Sequence, residues 1–478
     1  MQGWPVPADQ LNGPHRLPQR RPGLPLHASL TLAAMAWAVA CTSAIPPDAD
    51  FAQARCKTVY EDGVEGMPTI ELGAIFELTK PDGTPEHDGI FEARGMHLAI
   101  GELNDHRDIA GKRLRLTVCD TKTDWAKGGG QITRDLARYL IEQRKVAAIF
   151  SDASSDTQTA QAVTVPAGVL LMAISATSED LTNLSDKGLV WRVAPSDIYQ
   201  GAVVAHLATQ GLPADAKVSV VAVQSPYGDG MLDALGKALG KRMQAHTFGS
   251  DGKGLEGAVQ ACSSDGSAAL VVVGSTDQAI AVVNARVAVA SIANLPLFFA
   301  DGACESTIAT LPLKAGASLA NMICTRPGQP PAAIYNQFRE RYQQKFGADP
   351  ADSSFSQHAF DATYAVALAH AYALRQGGPA KVDGAALAEG LRHLSKGDKY
   401  AFKPNDITKM STALQKGQDI DIEGASGPLD FNPETGEAPS GYAAWTVTGG
   451  KLVNAGYYAV QDGGGGKYVV LPLDVTVP

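Results

Sequence analysis

Apolar and polar positions along this chain switch repeatedly between two periods. Short apolar runs occur at Thr69–Leu78 (TIELGAIFEL), Leu114–Cys119, Val146–Phe150 and Gly168–Ile174. Between them lie stretches with helical spacing: Phe91–Asn104, where Met96, Ile100 and Leu103 share a face, then Gly128–Gln143 and Thr157–Val163. Continuous apolar runs of this length predict strands buried on both faces, and the β-α-β-α repetition predicts a parallel, doubly wound sheet. A further strand is expected at Leu189–Val193. The pattern then restarts, with strands at Lys217–Val223, Ala268–Val273, Leu295–Ala300 and Asn321–Thr325 and helices at Gly228–Met243 and Gln278–Ile292. Two α/β units in series predict two lobes with a cleft between them. Helices follow at Ala332–Phe346, Ser356–Arg375 and Ala385–Leu394. The chain closes on an antiparallel tail, GPLDFN then GYAAWTVTGGKLVNAGYY, turning at Thr448-Gly449-Gly450-Lys451. The Gly463–Gly466 run reads as a flexible linker; Lys467 follows it without a Ser or Thr, so it is not a phosphate loop.

Two strand ends carry candidate chemistry. The run Gly168–Ile174 stops at Ser175-Ala176-Thr177-Ser178, and the run Leu189–Val193 leads into Ala194-Pro195-Ser196-Asp197. Small hydroxyl residues at the carboxyl ends of parallel strands sit where open α/β sheets bind ligands. Their hydroxyls and backbone N–H groups can hold a carboxylate without a metal. The same residues also read as a helix start capped by Thr177 or Ser178.

Composition narrows the class. The 478 residues suffice for two or three domains, and a net charge of −10 with no basic stripe excludes nucleic acid as a partner. Arg16, Arg20 and Arg21 precede an apolar run, Ala28–Ala40, that ends in small residues before Cys41. That order predicts a signal peptide over residues 1–40, too short in its apolar part to span a membrane. Ala38-Val39-Ala40-Cys41 resembles the lipobox of bacterial lipoproteins, which implies cleavage before Cys41 and acylation of its thiol. Thr42–Ala54 is small, polar and Pro-containing, and reads as a tether. Six cysteines fit an exported protein. With Cys41 set aside, Cys56, Cys119, Cys262, Cys304 and Cys324 leave an odd thiol; Cys304 with Cys324 is the favoured pair and Cys56 with Cys119 the second. No Cys or His cluster has zinc-site spacing, so neither a metal nor a cofactor is expected. No GxGxxG follows the first strand, no GxSxG elbow exists, and the histidines are scattered, so the chain is not expected to be an enzyme.

The pieces IELGAIFEL, LAIGELN, SATSEDLT, WRVAPSDIYQG, VVAVQSPYGDGM, LFFADGA and GPLDFNPETG…GYAAWTV follow one another over residues 69 to 460. In that order and spacing the chain resembles the type I periplasmic solute-binding proteins of ABC transporters, in particular the Leu/Ile/Val-binding group. SATSEDLTNLSDKGLVWRVAPSD is also similar to the ligand domain of metabotropic glutamate receptors. The resemblance implies an α/β fold of two doubly wound, Rossmann-like lobes joined by three crossovers near Pro195, Arg326 and Gly427. After the signal peptide and a tether over 41–56, lobe one is expected at 57–195 plus 326–426 and lobe two at 196–325 plus 427–478.

The resemblance also implies a site. Ser154 and Ser155 stand where the family binds a ligand carboxylate. Ser175, Ala176 and Thr177 match positions that hold carboxylate and ammonium, Asp197 and Asp301 match acids facing the ammonium, and Tyr227 matches an aromatic lining the far lobe. Each has a structural reading as well: Ser154, Ser155 and Asp197 as helix caps, Asp301-Gly302 as a turn, Tyr227 as packing. One departure stands out. The Asp-Phe-Ser stretch of the branched-chain group is replaced here by FGSDGKGLEGAV, with Asp251 displaced, which leaves Asp301 as the better ammonium partner. The long loop Lys80–Asp88 offers a further ligand contact. The implied protein is a monomeric lipoprotein of the periplasm or cell surface that captures an amino acid or similar solute and passes it to a membrane permease. The alternatives are a ligand-sensing subunit and an amide- or amino-acid-processing enzyme.

Overall fold

The computed structural model describes residues 49–63, 65–106, 109–122, 130–330 and 332–473. The expected signal peptide, Cys41 and the first part of the tether lie outside them. The rest of the expected tether is not a linker: Ala49–Arg55 is helical, and Ala52 is buried in the first core.

The first sheet contains β1 (Thr58–Tyr60), β2 (Thr69–Phe76), β3 (Arg113–Asp120), β4 (Ala148–Ser151), β5 (Leu170–Ala173) and β6 (Val190–Arg192). Their order is β1-β3-β2-β4-β5-β6, parallel throughout except where β1 joins β3. The second sheet is built on β7 (Val218–Gln224), β8 (Met243–Gly249), β9 (Ala269–Val273), β10 (Leu297–Phe299) and β11 (Met322–Pro327). A small parallel ribbon, β12 (Asp398–Ala401) with β13 (Ile420–Glu423), stands apart. Then β14 (Tyr442–Thr448), β15 (Lys451–Asp462) and β16 (Tyr468–Leu473) extend the second sheet in antiparallel fashion beyond β11. The parallel parts of the two sheets, β3-β2-β4-β5-β6 and β8-β7-β9-β10-β11, share one winding. Each reverses once, between β2 and β4 and between β7 and β9, and ligands bind outside the strand ends at such reversals.

The helices cover both sheets. Ser356–Ala373 is buried at every residue, its polar members His358, Asp361 and His370 included, and lies against the helix His87–His106. Gly228 lets the helix Pro226–Leu239 start hard against β7, because a Cβ there would run into the Val223 carbonyl.

Several expectations are corrected. The helix expected over Gly228–Met243 ends at Leu239, and the residues after it form the unforeseen strand β8. β8 is an edge strand with only Phe248 fully buried, so its sequence lacks the apolar run that marks its neighbours. A short helix, Leu255–Ala261, was also not foreseen. Gly463–Gly466 is the loop of the hairpin joining β15 to β16. GPLDFN makes only an isolated bridge, Glu423 with Pro428, and is not part of the tail sheet. The third crossover falls later than Gly427: Leu429, Phe431 and Ala438 pack in the first core, and the chain enters the second sheet at Tyr442. The structure joins Cys56 to Cys119 and Cys304 to Cys324, and leaves Cys262 free and buried.

Candidate functional site

The carboxyl ends of the parallel strands in both sheets supply the candidate residues. β4 runs into Asp152 and the helix Ser154–Ala167, whose first residue is Ser154. Ser154 Oγ accepts a hydrogen bond from the Ser178 N–H at 3.1 Å, and Ser155 beside it is buried. β5 runs into Ser175, Ala176 and Thr177. Ala176 and Thr177 are buried, Ser175 partly so, and Thr177 Oγ1 has no hydrogen-bond partner. The Thr177 carbonyl accepts from the Asp197 N–H at 2.8 Å, which fixes the start of the helix Asp197–Thr209 beside it. Asp197 is therefore the first helical residue, not its cap; Ser196 takes the cap position.

Asp197 is fully buried and neither of its carboxylate oxygens has a hydrogen-bond partner. Burial, then the neighbouring Asp301, hold it well above the usual carboxylate range. From the second lobe, the Tyr227 hydroxyl donates to Asp301 Oδ1 at 2.5 Å and accepts from the Gly302 N–H at 3.2 Å. Burial pushes Asp301 up to about 6, against the hydrogen bond from Tyr227. Thr177, Asp197, Tyr227 and Asp301 thus form one cluster, in which hydroxyls from the first lobe face acids at the crossover and in the second.

A second group was missed by sequence reasoning. Glu92, on the helix His87–His106, is 1% exposed, and Asp152 is 5% exposed. Burial first, then Asp152 and Asp88, drive Glu92 upward, while the Ser175 hydroxyl opposes the shift. Asp88 is pushed up to about 8 by burial and by Glu86, and it also feels Asp301. No sequence motif marks these acids, because they come together only when β2, β4 and β5 align.

Outside this cluster lies a cavity of about 1270 Å³ between the loop Lys80–Asp88 and the second-lobe segments around Asp251 and Asp277. Lys80 Nζ reaches Asp277 Oδ2 at 2.7 Å, bridging the two walls. Asp251 lines this cavity and pairs with Lys253, not with the inner cluster. On the far side of the second lobe, His246, Cys262 and Asp265 bring their ligand atoms within 4.8 Å of one another. Asp265 there already accepts hydrogen bonds from Ser219 and pairs with His246 at 2.8 Å.

Two upward-shifted acids, the half-buried Asp88 and the fully buried Asp361, give the protein a distinctive pH dependence. Asp88 and Asp361 titrate at about 8 and about 7 in the fold, against roughly 4 when unfolded. Their folded forms hold protons that the unfolded chain has lost, so stability falls as pH rises through these values. His358 and His370, pushed down by burial to about 3 and about 4, act in the opposite sense, but only below the unfolded histidine value of roughly 6.5. The melting temperature is therefore expected to be higher at pH 6.5 than at pH 8 by calorimetry. A fall on acidification over that interval would contradict the buried acids.

Two doubly wound lobes whose strand ends face each other across a cleft define a bilobal small-molecule-binding protein of type I. The chain belongs to the periplasmic binding protein family, whose model matches residues 69–451. Among solved structures, the branched-chain amino acid transporter substrate-binding protein LivJ of Streptococcus pneumoniae, in complex with isoleucine, is 21% identical with a TM-score of 0.62. That match covers 85% of this chain and all of LivJ. The leucine-binding protein LivK of Thermotoga maritima is 18% identical with a TM-score of 0.64, covering 81% of this chain and 98% of LivK. A solute-binding protein of an ABC transporter from R. palustris, in complex with 4-hydroxybenzoate, is 16% identical with a TM-score of 0.61, covering 81% and 95%. No curated protein sequence matches the chain. Among the described residues, no helix is long and apolar enough to cross a membrane.

Proposed function

We propose that this protein is an extracytoplasmic receptor that captures an α-amino acid in the interlobe cleft and delivers it to an ABC transporter permease. One observation carries the reading: Asp197, a fully buried carboxyl group, has neither oxygen in a well-formed hydrogen bond, and the only hydroxyl set against it, that of Thr177, is itself buried and otherwise without a partner. An α-amino acid supplies what each needs, an ammonium for the acids and a carboxylate for the hydroxyls. Ser154, Ser155, Ser175 and Thr177 hold the carboxylate in this reading, and Asp197, Asp301 and Tyr227 the ammonium. The solved structure in complex with isoleucine and the leucine-binding protein support an amino-acid ligand; the one in complex with 4-hydroxybenzoate shows that the fold also serves other solutes. Acylation of Cys41 anchors the receptor to a bacterial membrane, and incorporation of labelled palmitate that is lost in Cys41→Ser tests this.

The binding test is a thermal-shift screen against α-amino acids, run after unfolding, dialysis and refolding to strip any carried-over solute. A ligand that binds only the folded state raises the melting temperature by mass action. No shift with any α-amino acid overturns the reading. For the site itself, Thr177→Ala and Asp301→Ala are each expected to weaken binding by at least about 1.5 kcal/mol, the scale of a charged hydrogen bond. Unchanged affinity in both removes the assignment.

A further inference from the structure

The cleft holds more buried acid than one ammonium requires. Glu92 Oε2 and Asp152 Oδ1 are buried and without a hydrogen-bond partner. Glu92 faces Ser175 at the end of β5, and Asp152 follows β4 directly, so both acids stand at the strand ends that receive the ligand. Asp152 uses only its other oxygen, which accepts from the Glu77 N–H at 2.7 Å. Asp88 joins them from the helix start, bonded to Ser353 Oγ at 2.7 Å. Arg326 favours the charged form of Asp88 without reaching it as an ion pair, and the other nearby cations make their contacts elsewhere. Lys80 pairs with Asp277, and Arg94 lies over the rings of Phe91 and Phe346. Arg326 bonds the Cys304 and Ala351 carbonyls and lies over Trp445. Among the described residues, no Lys or Arg forms an ion pair with Glu92, Asp152 or Asp88.

Buried carboxyl groups left unpaired are costly, and a site retains them where a cation arrives to pair them. An aliphatic ligand side chain laid against Glu92 and Asp152 offers them no partner. We propose that the solute is a basic α-amino acid, its side-chain cation received by Glu92, Asp152 and Asp88 while its α-ammonium faces Asp197 and Asp301. The proposal rests on the amino-acid reading of the cleft and names the side chain that reading leaves open. Acids outnumber bases along the outer cavity, where Glu77, Glu86, Glu256 and Glu305 stand with Lys80 and Arg94 and Asp251 is paired with Lys253. Such a wall raises the local concentration of a cationic solute before it enters.

The test is calorimetric titration of the refolded protein with L-lysine, L-arginine, L-leucine and cadaverine. Lysine or arginine is expected to bind at least about tenfold more tightly than leucine. Glu92→Gln, which keeps the side-chain shape, is expected to cut the ratio of basic to leucine affinity by about tenfold or more. Asp152→Asn serves as the second variant and is expected to do the same. Leucine binding as tightly as lysine overturns this inference while the amino-acid reading stands. Cadaverine, which lacks the carboxylate, binding as tightly as lysine overturns the amino-acid reading itself. Loss of the basic preference in neither variant overturns the assignment of Glu92 and Asp152.

Discussion

Replacing Asp197 by Asn is expected to abolish high-affinity binding and, at the same time, to stabilise the ligand-free protein. Asp197 sits fully buried at the first turn of the helix Asp197–Thr209, with neither carboxylate oxygen hydrogen-bonded and with Asp301 as a like-charged neighbour. Arg192 is its nearest source of positive charge, but that guanidinium is spent on Glu437 and on the Ala176 and Ser178 carbonyls. The carboxyl group is thus poorly solvated within the chain, and in the proposed reading it is matched by the ligand's ammonium. The raised Asp197 already keeps its proton in the ligand-free fold yet makes no hydrogen bond there, whereas an amide N–H₂ can donate toward Thr177 or Asp301. The gain in folded stability is on the order of 1–2 kcal/mol, the cost of one buried unsatisfied polar group. The loss in binding is larger, because a buried cation left without its counter-ion costs about 3 kcal/mol, roughly a hundredfold in affinity. The two readouts move in opposite directions, which a merely structural aspartate cannot do. Melting temperature and titration calorimetry on the same preparation decide it. A variant that is both less stable and still binding assigns Asp197 to the fold instead of the site.

How much of this was visible in the chain depends on whether the signal was local. The buried parallel strands were legible because both faces are apolar, as in Leu270–Val273 and Leu297–Phe299. The turn at Gly449–Gly450 was legible because both glycines take positive φ, a conformation other residues avoid. β8 was not legible, since an edge strand has one solvated face and its MQAHTFG reads no differently from a helix end. The hairpin loop at Gly463–Gly466 was missed because its partner strand β16 exposes Val469, Leu471 and Leu473, so no buried face announces it. The hydroxyl positions after β5 stood out because small residues interrupt an apolar run. Glu92 did not, because it sits in a helix whose apolar spacing already accounts for the segment. Its meaning arises from Asp152, some sixty residues on, which only the β2-β4 pairing brings near. Sequence thus marks the part of the site built from strand ends and hides the part built by bringing distant acids together.

The largest loss of stability is expected at Asp361, a buried acid whose position contrasts with that of Asp197. It projects from the fully buried helix Ser356–Ala373 and accepts from the Ala425 N–H at 2.8 Å, the Ser426 N–H at 2.6 Å and the Ser426 hydroxyl at 2.5 Å. Gly424 makes the approach possible, because a Cβ there would occupy the space of the Asp361 carboxylate. One side chain therefore anchors the loop that carries the chain from β13 back across the first core toward the third crossover. Asp361→Ala leaves three buried donors without an acceptor and is expected to cost about 3–5 kcal/mol. Asp361→Asn keeps one acceptor oxygen and is expected to cost less. Urea unfolding followed by tryptophan fluorescence, to which Trp191, buried against Phe431 in the same core, contributes, measures this. Asp361 touches none of the proposed ligand residues, so at a temperature where Asp361→Ala is folded its ligand affinity is expected to match the parent's. The physical distinction between the two aspartates is the state of their oxygens. Asp361 has its donors in the folded chain and serves the fold; Asp197 makes no hydrogen bond within the chain, and the proposed reading gives its oxygens to a ligand. A stable Asp361→Ala with weakened binding would reverse that assignment.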